Sequence, residues 1–220
     1  MLSEEYYKHA YPQGAEEALR IAMQTHEESG AKAAETFFKA AYRMNPAGYK
    51  ELRSISLNSW DIKQYEDCAR YLEEFLTFYP GEINWAYFQL LKSYLMSGDI
   101  EGAKSALERY ATDYKLANED PESEYGTNIL KEEAKKEGSK DSEDIYLKLA
   151  LFYLCSDDLD SAKLFFEEIL DNIGDYGEKD TLLVLFAFSE CLSRLGFDQR
   201  AEVFKDKLTR RIQIVREFDN

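Results

Sequence analysis

Residues 34–46, AETFFKAAYRMNP, and residues 68–80, CARYLEEFLTFYP, are two settings of one pattern. In each, a small residue is followed four positions later by a bulky apolar one and three after that by another apolar residue: Ala34/Phe38/Ala41 and Cys68/Leu72/Phe75. Pro46 and Pro80 then close the two segments. Three further copies follow, Ala103/Leu107/Tyr110, Ala162/Phe166/Ile169 and, with a lysine in the middle, Ala201/Lys205/Leu208. The small residues stand 34, 35, 59 and 39 positions apart, so the third interval is one period plus an insertion of about 25 residues. Spacings of three and four put each trio on one stripe of a helix. A period of this length predicts stacked helical hairpins, because one hairpin cannot bury its apolar face alone.

Each copy is preceded by a second amphipathic pattern at a matching distance: Ile21/Ala22/Thr25, Ile55/Ser56/Ser59, Leu90/Leu91/Tyr94, Leu149/Ala150/Tyr153 and Phe188/Ser189/Leu192. Between the paired helices stand short breaks at Ser29-Gly30, Trp60-Asp61, Gly98-Asp99, Asp157-Asp158 and Gly196-Phe197-Asp198, where glycine or aspartate can close one helix and cap the next. This arrangement resembles the tetratricopeptide repeat family, whose units pair a helix A with a helix B carrying small-x3-aromatic-x2-small before a loop proline. The clearest copies run from Ala15 to Pro46, Trp85 to Tyr114 and Asp144 to Asp171. Three features depart from the family pattern: only two units keep the proline, Ser56 and Ser189 replace the usual glycine or alanine, and Lys205 stands where an aromatic is expected.

The resemblance implies an all-α, right-handed superhelix (an α-solenoid) of about five helix-turn-helix hairpins, with a concave groove lined by the A helices. The expected organisation is one continuous solenoid: an N-terminal arm at 1–14, repeats one to three at 15–115, a charged insertion at 116–141, and repeats four and five with a capping helix at 142–220. Pro12 and Gly14 are expected to set the arm apart, with Tyr6, Tyr7 and Tyr11 folded over the first repeat as a lid.

Forty-five per cent of the 220 residues are apolar, enough for a continuous core, and no stretch approaches the roughly 20 apolar residues of a membrane span. The N-terminus, MLSEEYYKHAYPQG, lacks the basic lead and apolar stretch of a signal peptide. Cys68, Cys155 and Cys191 are odd in number and have no metal-ligand spacing, as expected of core thiols in a reducing compartment. These features together lead to the expectation of a cytoplasmic protein. A net charge of −16, from 43 acids and 27 bases, opposes sequence-independent binding to nucleic acid, since phosphates are repelled. Residues 199–220 run the other way at net +2.

Nothing in the chain points to catalysis. His9 and His26 lie in no HExxH or Cys/His cluster, adjacent glutamates such as Glu73/Glu74 do not face one another on a helix, and no GxxxxGK or GxGxxG occurs. The expectation is a non-enzymatic protein with no cofactor and no metal.

The phase of the A helices instead points to a groove. Residues about 100 degrees round from the packing stripe should line it, and twelve are singled out: Met23, Arg53, Leu57, Trp60, Trp85, Phe88, Lys92, Leu95, Lys148, Leu151, Phe186 and Arg194. They are richer in apolar and basic types than the chain as a whole, and Trp60, Trp85 and Phe88 beside Arg53 and Lys92 form the best candidate hot spot. Family members that hold the acidic tails of heat-shock chaperones use lysine, asparagine and arginine on successive A helices. Leu19, Met23 and Ser54 face the groove here, so that clamp is missing.

The function expected from these readings is an adaptor that holds a peptide or helix of another protein in the groove. Two alternatives are a self-assembling structural protein, pairing through Ile212, Ile214, Val215 and Phe218 of the C-terminal helix, and an acidic secretion-type chaperone or masking subunit for a basic partner.

Overall fold

Residues 4–80, 83–118 and 142–219 are described in a computed structural model. Among them the helices are, in order, α1 (Glu4–Ser29), α2 (Ala31–Met44), α3 (Tyr49–Asp61), α4 (Tyr65–Phe78), α5 (Ile83–Ser97), α6 (Ile100–Asn118), α7 (Ser142–Cys155), α8 (Leu159–Asp171), α9 (Glu178–Arg194) and α10 (Asp198–Asp219), with α1 paired to α2, α3 to α4, α7 to α8 and α9 to α10. The chain therefore has an all-α fold of repeated helical hairpins. It divides into two compact units, Met1–Tyr94 and Leu95–Asn220, with the boundary inside α5. Most of the charged insertion at 116–141 and the side chains of Tyr6, Tyr7 and Tyr11 lie outside the described residues.

The repeating trios are the core of both units. Ala34, Phe38, Ala41, Cys68, Leu72 and Phe75 are buried in the first, and Ala103, Leu107, Tyr110, Ala162, Phe166, Ile169, Ala201 and Leu208 in the second. A small residue at the head of each trio lets two helix backbones approach closely, while the bulky residue four later fills the space one turn on. In the first unit α1 packs on α2, α2 on α3 and α3 on α4; in the second α6 packs on α7, α7 on α8, α8 on α9 and α9 on α10.

Serine is tolerated at two A-helix packing positions because its hydroxyl is satisfied within its own helix. Ser56 Oγ donates to the Arg53 carbonyl at 2.8 Å and Ser189 Oγ to the Phe186 carbonyl at 2.7 Å. A buried hydroxyl with that partner avoids the cost of an unpaired polar group.

Each A-to-B turn passes through one residue with positive φ: Gly30, Lys63, Gly98, Asp157 and Gly196. The residue after it reaches back across the helix end in three turns, Gln64 N to Ser59 O at 2.8 Å, Asp158 N to Tyr153 O at 2.9 Å and Phe197 N to Leu192 O at 2.9 Å. This is the helix stop that glycine makes without strain. Lys63 and Asp157 make it with a side chain present. Asp99 and Asp158 then cap the next helices, accepting from Gly102 N at 2.8 Å and Ser161 N at 3.2 Å.

Two features of the ends differ from expectation. α1 runs from Glu4 through Pro12 and Gly14 without a break; the missing side chain at Gly14 leaves room for Met44, whose Sδ would lie 3.4 Å from a Cβ there. At the other end, Arg211 pairs with Glu178 at the start of α9, at 2.5 Å, so the last turns of α10 run past the helix they pack on. Ile212 and Arg216, on those turns, lie against Gly98 instead: a Cβ at Gly98 would meet Arg216 Nη1 at 3.0 Å and Ile212 Cγ2 at 3.5 Å.

Neighbouring repeats of the first unit are tied by carboxylates. Tyr42 donates to Glu74 at 2.5 Å, and burial, reinforced by that carboxylate, pushes its hydroxyl up to about 12. Glu35 is held by Lys32 and Lys39, both at 2.7 Å, and accepts from Gln64 across the repeat boundary at 3.3 Å. The Lys32 contact leads in drawing its carboxyl down to about 2. Cys68, Cys155 and Cys191 are buried thiols, and burial pushes the Cys191 thiol up to about 11.

Candidate functional site

The exposed to half-buried stripe of α3 carries Lys50, Arg53, Leu57 and Asp61, spaced three or four apart. Arg53 is the best-held of them. Its Nη1 donates to Tyr49 Oη at 3.0 Å, and its guanidinium lies 4.7 Å from the centre of the Trp85 ring. Tyr49 packs at 5.3 Å on Phe75 and edge-on at 5.1 Å on Tyr79, and Phe75 packs edge-on at 5.3 Å on Trp85. Arg53 therefore sits at the rim of an aromatic cluster anchored on a fully buried phenylalanine. Tyr49 and Tyr79 were not among the expected site residues; tyrosines at α3's first position and just beyond α4 were the available signal.

At the other end of the stripe Asp61 meets α1. His26 Nε2 lies 3.2 Å from Asp61 Oδ2, which brings the C-terminal ends of α1 and α3 together. Met23, one turn before His26, and Leu57, one turn before Asp61, are 52% and 39% exposed. They hold the same position in consecutive repeats, two residues after Ile21 and Ile55.

The same position in the next repeats has the opposite fate. Lys92 is 9% exposed and Leu151 1%. Lys92 lies over the Phe88 ring at 3.9 Å, and Phe88 is itself buried. Of the twelve residues that helical phase assigned to the groove, Phe88, Lys92, Leu95, Leu151 and Phe186 are thus corrected to core positions. The physical reason for Leu151 and Phe186 is that α7 and the middle of α9 are apolar nearly all round, while Phe88, Lys92 and Leu95 lie in a run of α5 that is mostly buried despite its polar residues. From Thr181 to Ser189 α9 has nine consecutive buried residues. The remaining seven keep some surface: Met23, Leu57 and Arg194 are exposed, and Arg53, Trp60, Trp85 and Lys148 half-buried. Trp60 leans on Tyr65 at 5.2 Å, and Arg194 donates to the Leu154 carbonyl at 3.4 Å. Only Met23, Arg53, Leu57, Trp60 and Trp85 belong to the first unit, and the contacts above connect Met23 and Leu57 through His26 and Asp61, and Arg53 with Trp85.

The C-terminal helix also departs from what the self-assembly alternative assumed. Ile212 is buried within the chain, Val215 is half-buried, Ile214 is exposed, and the side chain of Phe218 lies outside the described residues. Glu35, Lys39 and Tyr42 of α2, which face the next repeat or pair beside it, correspond in α10 to Glu202, Asp206 and Thr209.

Among the described residues no group of three or more His, Cys, Asp or Glu is placed to hold a metal ion, and no helix is long and apolar enough to cross a membrane.

Three solved structures are similar in fold. A crystal structure of MamA protein is 16% identical, covers 95% of this chain and 97% of its own, and superposes with a TM-score of 0.46. A Podosopora anserina putative kinesin light chain with nearly identical TPR-like repeats, in a form with one glutamine replaced by methionine, is 12% identical over 90% of this chain and 93% of its own, with a TM-score of 0.41. The form without that replacement is 11% identical over 91% and 94%, also at 0.41. No family profile and no curated protein matches the chain.

Proposed function

We propose that this chain is a non-enzymatic interaction scaffold that holds an extended or helical segment of another protein against the A-helix face of its first two repeats. One observation carries the reading: Met23 and Leu57 are exposed apolar side chains at one repeat position, whereas the same position is closed at Lys92 and Leu151. Apolar side chains left open beside cations and half-buried aromatics are the make-up of a protein-binding surface. Trp60 and Trp85, half-buried at its edge, supply aromatic area at small conformational cost.

The test is site-specific photocrosslinking in a native extract. A crosslinker at Leu57 should capture a defined protein, and one at Leu164, exposed on α8, should not. Leu57→Asp with Met23→Asp should abolish the capture while leaving helicity unchanged. Equal capture from both positions, or capture that survives the double substitution, would remove the face from consideration.

A further inference from the structure

We infer that the segment received by this face is acidic at one end and apolar in its middle, with its carboxylates over Lys50 and Arg53 and its apolar side chains over Leu57 and Met23. The inference rests on the interaction face proposed above and adds the chemistry of its partner.

The argument begins with two cations in an acidic chain. Acids outnumber bases 43 to 27, and many described bases are already paired with carboxylates: Arg20 with Glu17, Lys39 with Glu35, Arg70 with Asp67, Lys163 with Glu167, Arg211 with Glu178. Lys50 and Arg53, one turn apart on the open stripe of α3, have no carboxylate partner among the described residues. Arg53 spends one N–H on a phenol and one face on an indole, which fixes its direction without neutralising it. Lys50 is exposed.

Their place on the helix sharpens the point. Lys50 stands in the first turn of α3 and Asp61 is its last residue, so each charge opposes the helix dipole at its own end. Asp61 has a hydrogen-bond partner in His26. Glu51, a buried carboxylate in the first turn, serves the amides at the helix start, but Lys50 and Arg53 have no carboxylate partner among the described residues, and an anion brought from outside would satisfy both cations. Leu57 lies on the same stripe seven residues after Lys50, about 10 Å along the axis at 1.5 Å per residue. A partner that places a carboxylate about two helical turns from an apolar side chain spans that distance.

A labelled, capped peptide helix with glutamates in its first turn and leucines two turns later is the probe, compared by fluorescence anisotropy with versions carrying lysines for the glutamates or alanines for the leucines. The glutamate–leucine peptide should bind at least about tenfold more tightly than the lysine version, and added salt should narrow the gap. Lys50→Glu, an exposed change that leaves the aromatic cluster intact, should erase or invert the preference, and Arg53→Gln should weaken it. Equal binding of the two charged peptides, binding of none, or a preference untouched by Lys50→Glu would overturn the inference. Loss of charge preference with binding still abolished by Leu57→Asp would leave the proposed face standing. Binding indifferent to Leu57→Asp would overturn the face itself.

Discussion

Leu57 and Leu151 hold one position in the A helices of two different repeats, and the first is 39% exposed while the second is 1% exposed. The helices around them differ in the same sense. α3 has one buried flank and an open stripe of Lys50, Arg53, Leu57 and Asp61, whereas α7 is buried or half-buried at every described side chain from Tyr146 to Cys155. A repeat pattern thus specifies how a helix meets its hairpin partner and leaves the third side unspecified. On α3 that side is a surface; on α7 it is core. The same residue type is therefore left open at one site and packed at the other.

The comparison is most easily broken at the closed face. Phe186→Ala, which empties a site 1% exposed, should cost about 3–5 kcal/mol in urea unfolding, and Leu57→Ala at the open face less than about 1 kcal/mol. Equal losses would mean that the two faces are not different environments. Next in size are the turn glycines. Gly30 and Gly98 share the positive φ, but a side chain at Gly30 meets nothing within 4 Å, while one at Gly98 meets Arg216 at 3.0 Å. Gly30→Ala should cost about 1 kcal/mol from backbone strain alone, and Gly98→Ala about 2 kcal/mol. Arg216→Ala should recover part of the difference; identical costs for the two glycines would argue against the α10 contact.

Smaller and opposite in sign are the two turns without glycine. Lys63→Gly and Asp157→Gly should each raise stability by about 0.5–1 kcal/mol, seen as a higher melting temperature, because both residues hold positive φ at 61° and 66°. The smallest effect is electrostatic and confined to the first unit. The carboxyl of Glu35 is held near 2, below its unfolded value of about 4.3, so its contribution is complete above that unfolded value and is lost as pH falls toward 2. Glu35→Gln should remove about 0.5–1 kcal/mol at neutral pH and flatten the acid limb of the stability curve; an unchanged limb would assign that limb to other carboxylates.

Much of this architecture could be read from the chain. All five trios and four of the five A-to-B breaks fall where spacing put them, because helix periodicity and turn chemistry are local; the exception is Trp60-Asp61, which α3 runs through, the turn coming at 62–64. The fate of the groove residues could not be read from phase alone, although one signal was present: LALFYLC at 149–155 and LLVLFAF at 182–188 are apolar all round, unlike YKELRSISLNSWD at 49–61. Phe88 and Lys92 escaped that signal, since a lysine at a groove position reads as surface until its stem is seen lying over a phenylalanine ring. The Arg53–Trp85 stack and the His26–Asp61 pair join residues 32 and 35 positions apart, and no local rule selects those partners.

Hydrophobic period and turn residues alone were thus enough to specify the repeat, its helix pairs and their buried stripes, since each depends on residues within about one hairpin of one another. Which of the equivalent outward faces became surface and which became core was set by folding, because burial depends on helices that are distant in sequence and arrive only when the chain packs.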